Sequence, residues 1–222
     1  MVLTDAFFRT FFVKAADYGT AFVLTVDGSQ YLVTAKHLFD ETEAPAAISV
    51  FIANQWKNLA LQFIGLGRGE VDVAVFACPK ELESSEFKLT PTQGEFTMGQ
   101  EVHFLGFPYK LWGDVGAFLD GMPCAFVKGG TLSFFDFHGN KALYVDAINN
   151  EGFSGGPLVF SPPSRPTEML VAGVVSKFRV EREPVLDESG QKTGMHVPYN
   201  TGLLVAYGMA HVIGIVRRQG SA

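Results

Sequence analysis

Three places in this sequence set reactive groups in marked surroundings. A serine stands among glycines in Glu151-Gly152-Phe153-Ser154-Gly155-Gly156-Pro157, His37 closes Tyr31-Leu32-Val33-Thr34-Ala35-Lys36-His37, and Asp72 opens Asp72-Val73-Ala74-Val75-Phe76. A serine hydroxyl at its ordinary pKa is a weak nucleophile. It needs a base, a group that orients the base, and donors for the developing oxyanion. Glycines beside Ser154 let neighbouring N–H groups converge while a substrate backbone passes close, where a Cβ would clash, and Pro157 sets φ as the chain leaves the turn.

Such groups must be held by a rigid frame. Short β-rich runs at 20–26, 30–35, 47–53, 59–64 and 71–77 fill the first half, with Asp27-Gly28 as the hairpin signal between the first two. A polar stretch, 81–95, reads as a connection between two lobes. Strands resume at 101–106, 124–135, 142–147, 157–160, 169–178 and 202–206, and 209–218 is the best helix, with Arg217 and Arg218 suiting its C-terminus. Regular short strands without long helices between them point to an all-β barrel or sandwich, not βαβ units. Phe7, Phe8, Phe11 and Phe12 recur at helical spacing, which suits packing against a barrel or, as a sharper alternative, lying on a membrane or partner.

The bulk properties narrow the class. The chain has 222 residues, 47% of them hydrophobic, enough for one large core or two smaller ones packed together. A net charge of -6 without a basic block disfavours a nucleic-acid partner. The N-terminal stretch lacks the order of a signal peptide, and the apolar run 202–216 is too short for a membrane span, so a cytoplasmic protein without a membrane span is expected. Cys78 and Cys124 are too few for a disulfide scaffold and lack metal-ligand spacing, so two buried free thiols are expected and no cofactor is required.

Gly19-Thr20-Ala21-Phe22, Thr34-Ala35-Lys36-His37, Asp72-Val73-Ala74-Val75 and Gly152-Phe153-Ser154-Gly155-Gly156-Pro157 occur in the order His, Asp, Ser. In this the sequence resembles the trypsin-like serine peptidases of the chymotrypsin fold, especially the compact bacterial peptidases related to the Do-like heat-stress proteases. The resemblance covers nearly the whole chain, the terminal strand and helix included. It implies two six-stranded antiparallel β-barrels with a short C-terminal helix: one peptidase domain with lobe one at about 1–90, lobe two at about 91–208 and the helix at about 209–218. It also implies His37, Asp72 and Ser154 as a catalytic triad, the N–H groups of Gly152 and Ser154 as an oxyanion hole, and a polypeptide substrate. The segment Val175-Ser176-Lys177-Phe178 would pair with the substrate backbone, Ser176 also supporting Asp72. Ile148 stands where digestive trypsin has its acidic specificity residue, so cleavage after Arg or Lys is not expected; Phe178 would narrow the pocket toward small or medium apolar side chains.

Some positions depart from the family. Lys36 replaces a small residue; brought near His37, its charge would lower that imidazole's pKa. Phe153 replaces an Asp that in digestive members pairs with a new N-terminus, so the ring can anchor the serine loop only by packing, and competence without processing is expected. The segment 181–194 reads as an exposed hairpin, either a solvated loop or a lip for extended substrates or a regulatory partner. The pattern Gly152-x-Ser154-x-Gly156 also fits an α/β-hydrolase elbow, but that fold needs parallel strands and the order Ser, acid, His. A latent peptidase-like binding module is the remaining alternative.

Overall fold

A computed structural model describes residues 4–39, 45–119 and 121–219. After a short helix α1 (Thr4–Phe8), the first lobe is a sheet of β1 (Thr10–Lys14), β2 (Tyr18–Val26), β3 (Ser29–Thr34), β4 (Ala47–Ile52), β5 (Gln55–Ala60), β6 (Phe63–Leu66) and β7 (Ala74–Ala77), in spatial order β5-β4-β1-β2-β3-β7-β6. Asp27 and Gly28, with φ of 49° and 86°, turn β2 into β3 as the Asp-Gly pair predicts, because a tight hairpin matching strand twist needs both central residues at positive φ. Most of β2 is buried, which suits the apolar stretch Ala21-Phe22-Val23-Leu24 at its centre.

The second lobe holds β8 (Thr90–Pro91), β9 (Glu101–Gly106), β10 (Phe126–Phe135), β11 (Ala142–Asp146), β12 (Pro157–Phe160), β13 (Leu170–Leu186) and β14 (Lys192–Gly208). Six of these close on themselves in the order β12-β9-β10-β11-β14-β13, with β12 pairing back to β13, while β8 adds a parallel edge to β13. The all-β, two-lobed architecture is therefore as expected, with a closed six-stranded barrel in the second lobe. The first lobe has seven strands among the described residues, because the expected strand at 59–64 is divided between β5 and β6 and because Thr10–Lys14 forms β1, where no strand was expected.

Helix α2 (Met209–Gln219) leaves β14 and folds back onto the first lobe, where a Cβ on Gly65 of β6 would meet Ile215 Cγ2 at 2.8 Å. One apolar cluster joins Phe22, Leu24 and Val75 of the first sheet to Leu105, Val159 and Val174 of the second. Burying each such side chain contributes about 1.5–3 kcal/mol, so this shared core holds the seam between the sheets rigid.

The phenylalanines near the N-terminus do not form one amphipathic helix. Phe7 and Phe8 end α1, whereas Phe11 and Phe12 are buried in β1. Arg9 sits between them, buried, donating from Nη1 to the Leu82 carbonyl at 2.7 Å and from Nη2 to Gln30 Oε1 at 2.6 Å. The connection 81–95 is pinned by buried Leu82 and Leu89 and by β8. Among the described residues, no helix is long and apolar enough to cross a membrane. Cys78 and Cys124 are free and only partly buried, and burial pushes the Cys78 thiol up to about 11.

Candidate active site

His37 sits where β3 ends. The chain tightens there into a single 3-10 turn, Lys36–Leu38, and Thr34 Oγ1 ties the strand end to the Thr20 carbonyl at 2.6 Å. Asp72 lies between buried Val71 and Val73, just before β7. Its Oδ1 accepts the His37 backbone N–H at 2.9 Å, and its Oδ2 accepts His37 Nδ1 at 2.6 Å and the Ser176 hydroxyl at 2.5 Å. An acceptor-only carboxylate facing Nδ1 assigns the ring proton to that atom and leaves Nε2 its lone pair.

The ionisation follows these contacts. The hydrogen bond to Asp72 raises His37 above its ordinary value, against the opposing effect of burial. Burial works to raise Asp72, but the hydrogen bonds from His37 and Ser176 outweigh it and hold the carboxyl below the usual range. Lys36 does not approach the ring as a competing charge. Its Nζ donates to the Gly69 carbonyl at 3.0 Å, and His37 is raised, not lowered.

Ser154 is set by its loop. Gly152 and Gly155 have φ of +98° and +84°, and a Cβ on them would lie 2.1 Å from the Phe107 and Thr20 carbonyl oxygens respectively. The Glu151 carbonyl accepts the Tyr109 N–H at 2.9 Å, and that of Gly152 accepts Thr20 Oγ1 at 2.7 Å. Thr20 N–H holds the Ser154 carbonyl at 2.9 Å, and Gly155 and Gly156 exchange bonds with Val175 of β13 at 2.7 and 2.8 Å. With these carbonyls turned away, the N–H groups of Gly152 and Ser154 donate to no protein acceptor among the described residues. Two unengaged donors on residues that border one cavity can hold an oxyanion.

The Ser154 hydroxyl itself donates to the Ser176 carbonyl at 2.8 Å. Ser176, displaced by a bulge between Val175 and Lys177, thus touches Asp72 with its side chain and Ser154 with its carbonyl. Among the described residues, no hydrogen bond joins Ser154 Oγ to His37, although both residues border the same two cavities. One, of about 520 Å³, runs along Asp72, Ser176, Lys177, Phe178 and Val180; the other, of about 200 Å³, lies toward Asp17, Tyr18, Tyr109 and Lys110. Ser176, Lys177 and Phe178 therefore line the larger cleft. Ile148 does not: its side chain is exposed, close to Gly202. Among the described residues, no group of three His, Cys, Asp or Glu side chains converges to hold a metal ion.

Phe153 is fully buried, edge-on to Phe104 with ring centroids 5.0 Å apart. Contrary to the expectation from sequence, packing is not its only contact. Lys128 Nζ lies 5.8 Å from the ring centroid, donates to the Ile148 carbonyl, and bonds Asn150 Oδ1 at 2.9 Å. Sequence reasoning missed Lys128, along with Tyr109 and Lys110, whose φ of 52° and 65° carry no sequence sign such as glycine. Thr20 lay in a recognised motif, but only the fold reveals its grip on Gly152.

Two packed lobes of antiparallel strands, with His37, Asp72 and Ser154 at their seam, define a trypsin-like serine peptidase domain. The sequence model of the trypsin-like peptidase domain matches residues 19–161, more than half of the chain, and the chain belongs to that family. Among solved structures, the serine endoprotease from Yersinia pestis is 18% identical with a TM-score of 0.60, over 98% of this chain and 66% of that one. The active form of the Rv3671c protease from M. tuberculosis is 16% identical with a TM-score of 0.62, over 98% of this chain and 83% of that one. The HtrA-type protease AlgW, solved with a tripeptide, is 18% identical with a TM-score of 0.58, over 98% of this chain and 63% of that one. This chain thus spans about two thirds of the Yersinia and AlgW chains and most of the mycobacterial one. No curated protein matches it in sequence.

Proposed function

We propose that the protein hydrolyses internal peptide bonds by acyl transfer through Ser154. Ser154 Oγ leaves the Ser176 carbonyl, gives its proton to His37 Nε2 and bonds to the scissile carbonyl carbon, whose oxygen becomes an anion held by the N–H groups of Gly152 and Ser154. As that intermediate collapses, the carbon–nitrogen bond breaks and the imidazolium returns the proton to the leaving amine. Water, deprotonated by the same Nε2, then releases the acid and restores Ser154. Asp72 holds the imidazole tautomer and stabilises its charged form.

The observation that carries this is the double grip of Asp72 on His37, at backbone N–H and at Nδ1. It leaves a basic nitrogen on a residue that shares both cavities with Ser154. Phe178 and Val180 on the wall of the larger cleft support a preference for small or medium apolar side chains. Beyond Val175, β13 pairs on one side only among the described residues, with β14. Its free edge suits the main chain of an extended substrate.

A fluorophosphonate probe tests the mechanism. Wild type is expected to gain one adduct by intact mass, while Ser154→Ala and His37→Ala gain none. One observation favours a second reading, a latent peptidase-like binding module: the Ser154 hydroxyl rests on Ser176, not on His37. Absence of labelling in wild type would support that module instead. A hydroxyl rotates in nanoseconds or less, and catalytic hydrogen bonds are often unmade before substrate binds, so the enzyme is the stronger reading.

A further inference from the structure

The loop that presents the free N–H groups of Gly152 and Ser154 runs from Ile148 to Ser154, and its shape depends on which way each peptide faces. Its carbonyls are tethered outward one by one: that of Asn149 by Asn200 Nδ2 at 2.6 Å, that of Glu151 by Tyr109 N–H, and that of Gly152 by Thr20 Oγ1. The Ile148 carbonyl is held by an ammonium group instead, that of Lys128.

Lys128 stands on β10 opposite Phe104 of β9, and Phe104 is the residue whose ring packs against Phe153. Opposed residues of an antiparallel pair share a face, so the register starts the lysine stem beside the ring beneath the serine loop. The amine ends among three groups of one short loop: the Ile148 carbonyl, Asn150 Oδ1 at 2.9 Å, and the Phe153 ring at 5.8 Å from its centroid. No carboxylate pairs with it among the described residues. Burial lowers this amine below its ordinary value, and with no anion beside it the ammonium form relies on neutral oxygens and a ring face.

We propose that Lys128 is a positioning residue for acyl transfer: its ammonium gathers Ile148, Asn150 and Phe153 into one clamp that keeps the Gly152 and Ser154 donors aimed into the cleft. The proposal rests on the peptidase reading for its catalytic consequence. The clamp itself is a property of the loop and can be read separately. Lys128 touches neither substrate nor the reacting atoms. Its loss removes organisation from the transition-state donors and spares the substrate-binding wall of Phe178 and Val180.

The experiment compares wild type, Lys128→Met, which keeps the stem and removes the amine, and Lys128→Arg, which keeps the charge. Three readouts are taken: fluorophosphonate labelling rate, kcat and KM on a peptide ester, and hydrogen exchange across 148–154. Lys128→Met is expected to lower labelling and kcat by about 10- to 100-fold, short of the ~100- to 1000-fold loss of a whole oxyanion donor, with KM changed by less than about threefold. Exchange in 148–154 is expected to rise about tenfold while the remainder of the barrel keeps its protection, and Lys128→Arg is expected to recover most of both effects. If Lys128→Met does not fold, Lys128→Gln replaces it.

A folded Lys128→Met that labels within about twofold of wild type and exchanges alike would overturn the proposal. So would protection lost evenly through the barrel with no local excess, which marks a merely structural lysine. If wild type itself never labels but the exchange difference at 148–154 appears, the clamp stands and the peptidase reading falls.

Discussion

Replacing Asp72 by Asn removes one charge and almost no volume, and the structure dictates how the new amide must sit. The Asp72 Oδ1 position faces the His37 backbone N–H at 2.9 Å, a donor that cannot turn away. The oxygen of the introduced amide therefore belongs there, because the opposite orientation would leave two donors facing each other at a cost of about 1–3 kcal/mol. The amide NH2 then takes the Oδ2 position, now 2.6 Å from His37 Nδ1 and 2.5 Å from the Ser176 hydroxyl. Ser176 can accept from it, but Nδ1 can accept only by giving up its proton. The proton moves to Nε2, which then becomes a donor unable to accept from Ser154 in the proposed transfer.

Such a tautomer trap costs about 10⁴-fold in kcat, equivalent to about 5.4 kcal/mol at 1.36 kcal/mol per decade. The pH profile moves as well. On the proposed mechanism the base form of His37 is the active one, and its pKa is raised above the ordinary 6.5, so kcat/KM should climb with pH along a limb above that value. Asp72→Asn removes the carboxylate whose hydrogen bond raises His37, so the acid limb should move downward. The assay is ester hydrolysis from pH 5 to 10 on wild type, Asp72→Asn and Ser154→Ala, the last subtracted as background. A plateau rate within about tenfold of wild type, or an acid limb that moves upward in Asp72→Asn, would refute the reasoning.

Other perturbations read the remaining parts of the site. Gly152→Ala places a Cβ 2.1 Å from the Phe107 carbonyl oxygen at a φ of +98°, so the loop must shift; labelling is expected to fall at least about 100-fold while circular dichroism stays that of a β protein. Lys36→Ala removes an amine that is bound to the Gly69 carbonyl, and the acid limb should stay within about 0.3 units of wild type; a larger rise would place the lysine charge near the ring. Asp72 has its pKa lowered by folding, so its contribution to stability is present above the ordinary 3.8 and disappears as pH falls through the folded value. Urea unfolding should therefore separate wild type from Asp72→Asn near neutrality and bring them together in acid. Cutting the outer part of the β13–β14 hairpin back to a tight turn should leave hydrolysis of short peptides unchanged and lower kcat/KM on long ones about fivefold; equal effects on both would remove the strand edge from substrate binding.

What could be seen in the sequence and what could not divides by the range of the physics involved. Local rules delivered the hairpin at Asp27-Gly28, the strands 101–106 and 157–160, the C-terminal helix, and the serine turn, since each depends on a few adjacent residues. At Phe7 to Phe12 the expected packing against the barrel holds, but the helical spacing is incidental, because a helix ending at Phe8 and a strand beginning at Thr10 produce that pattern without any face being shared. The strands 169–178 and 202–206 are legible by their apolar runs, and 181–194 reads as the exposed hairpin that joins β13 to β14. Their outer halves, from Arg179 and Lys192, are mostly exposed and mix charged residues with solvent-facing Val180, Leu186, Met195 and Val197, and are held as strands by pairing with each other across the hairpin, not by burial. The site divides the same way. His37, Asp72 and Ser154 announce themselves by neighbours in sequence, and the support of Asp72 by Ser176 follows from the family resemblance, whereas Thr20 turning the Gly152 carbonyl and Lys128 gripping the serine loop join positions brought together only by the closed barrel and its seam. A lysine on a strand reads as a solvated residue until register places it beside Phe104. The groups that shape the serine loop, as distinct from the three residues that mark it, are therefore recovered from topology and not from spacing along the chain.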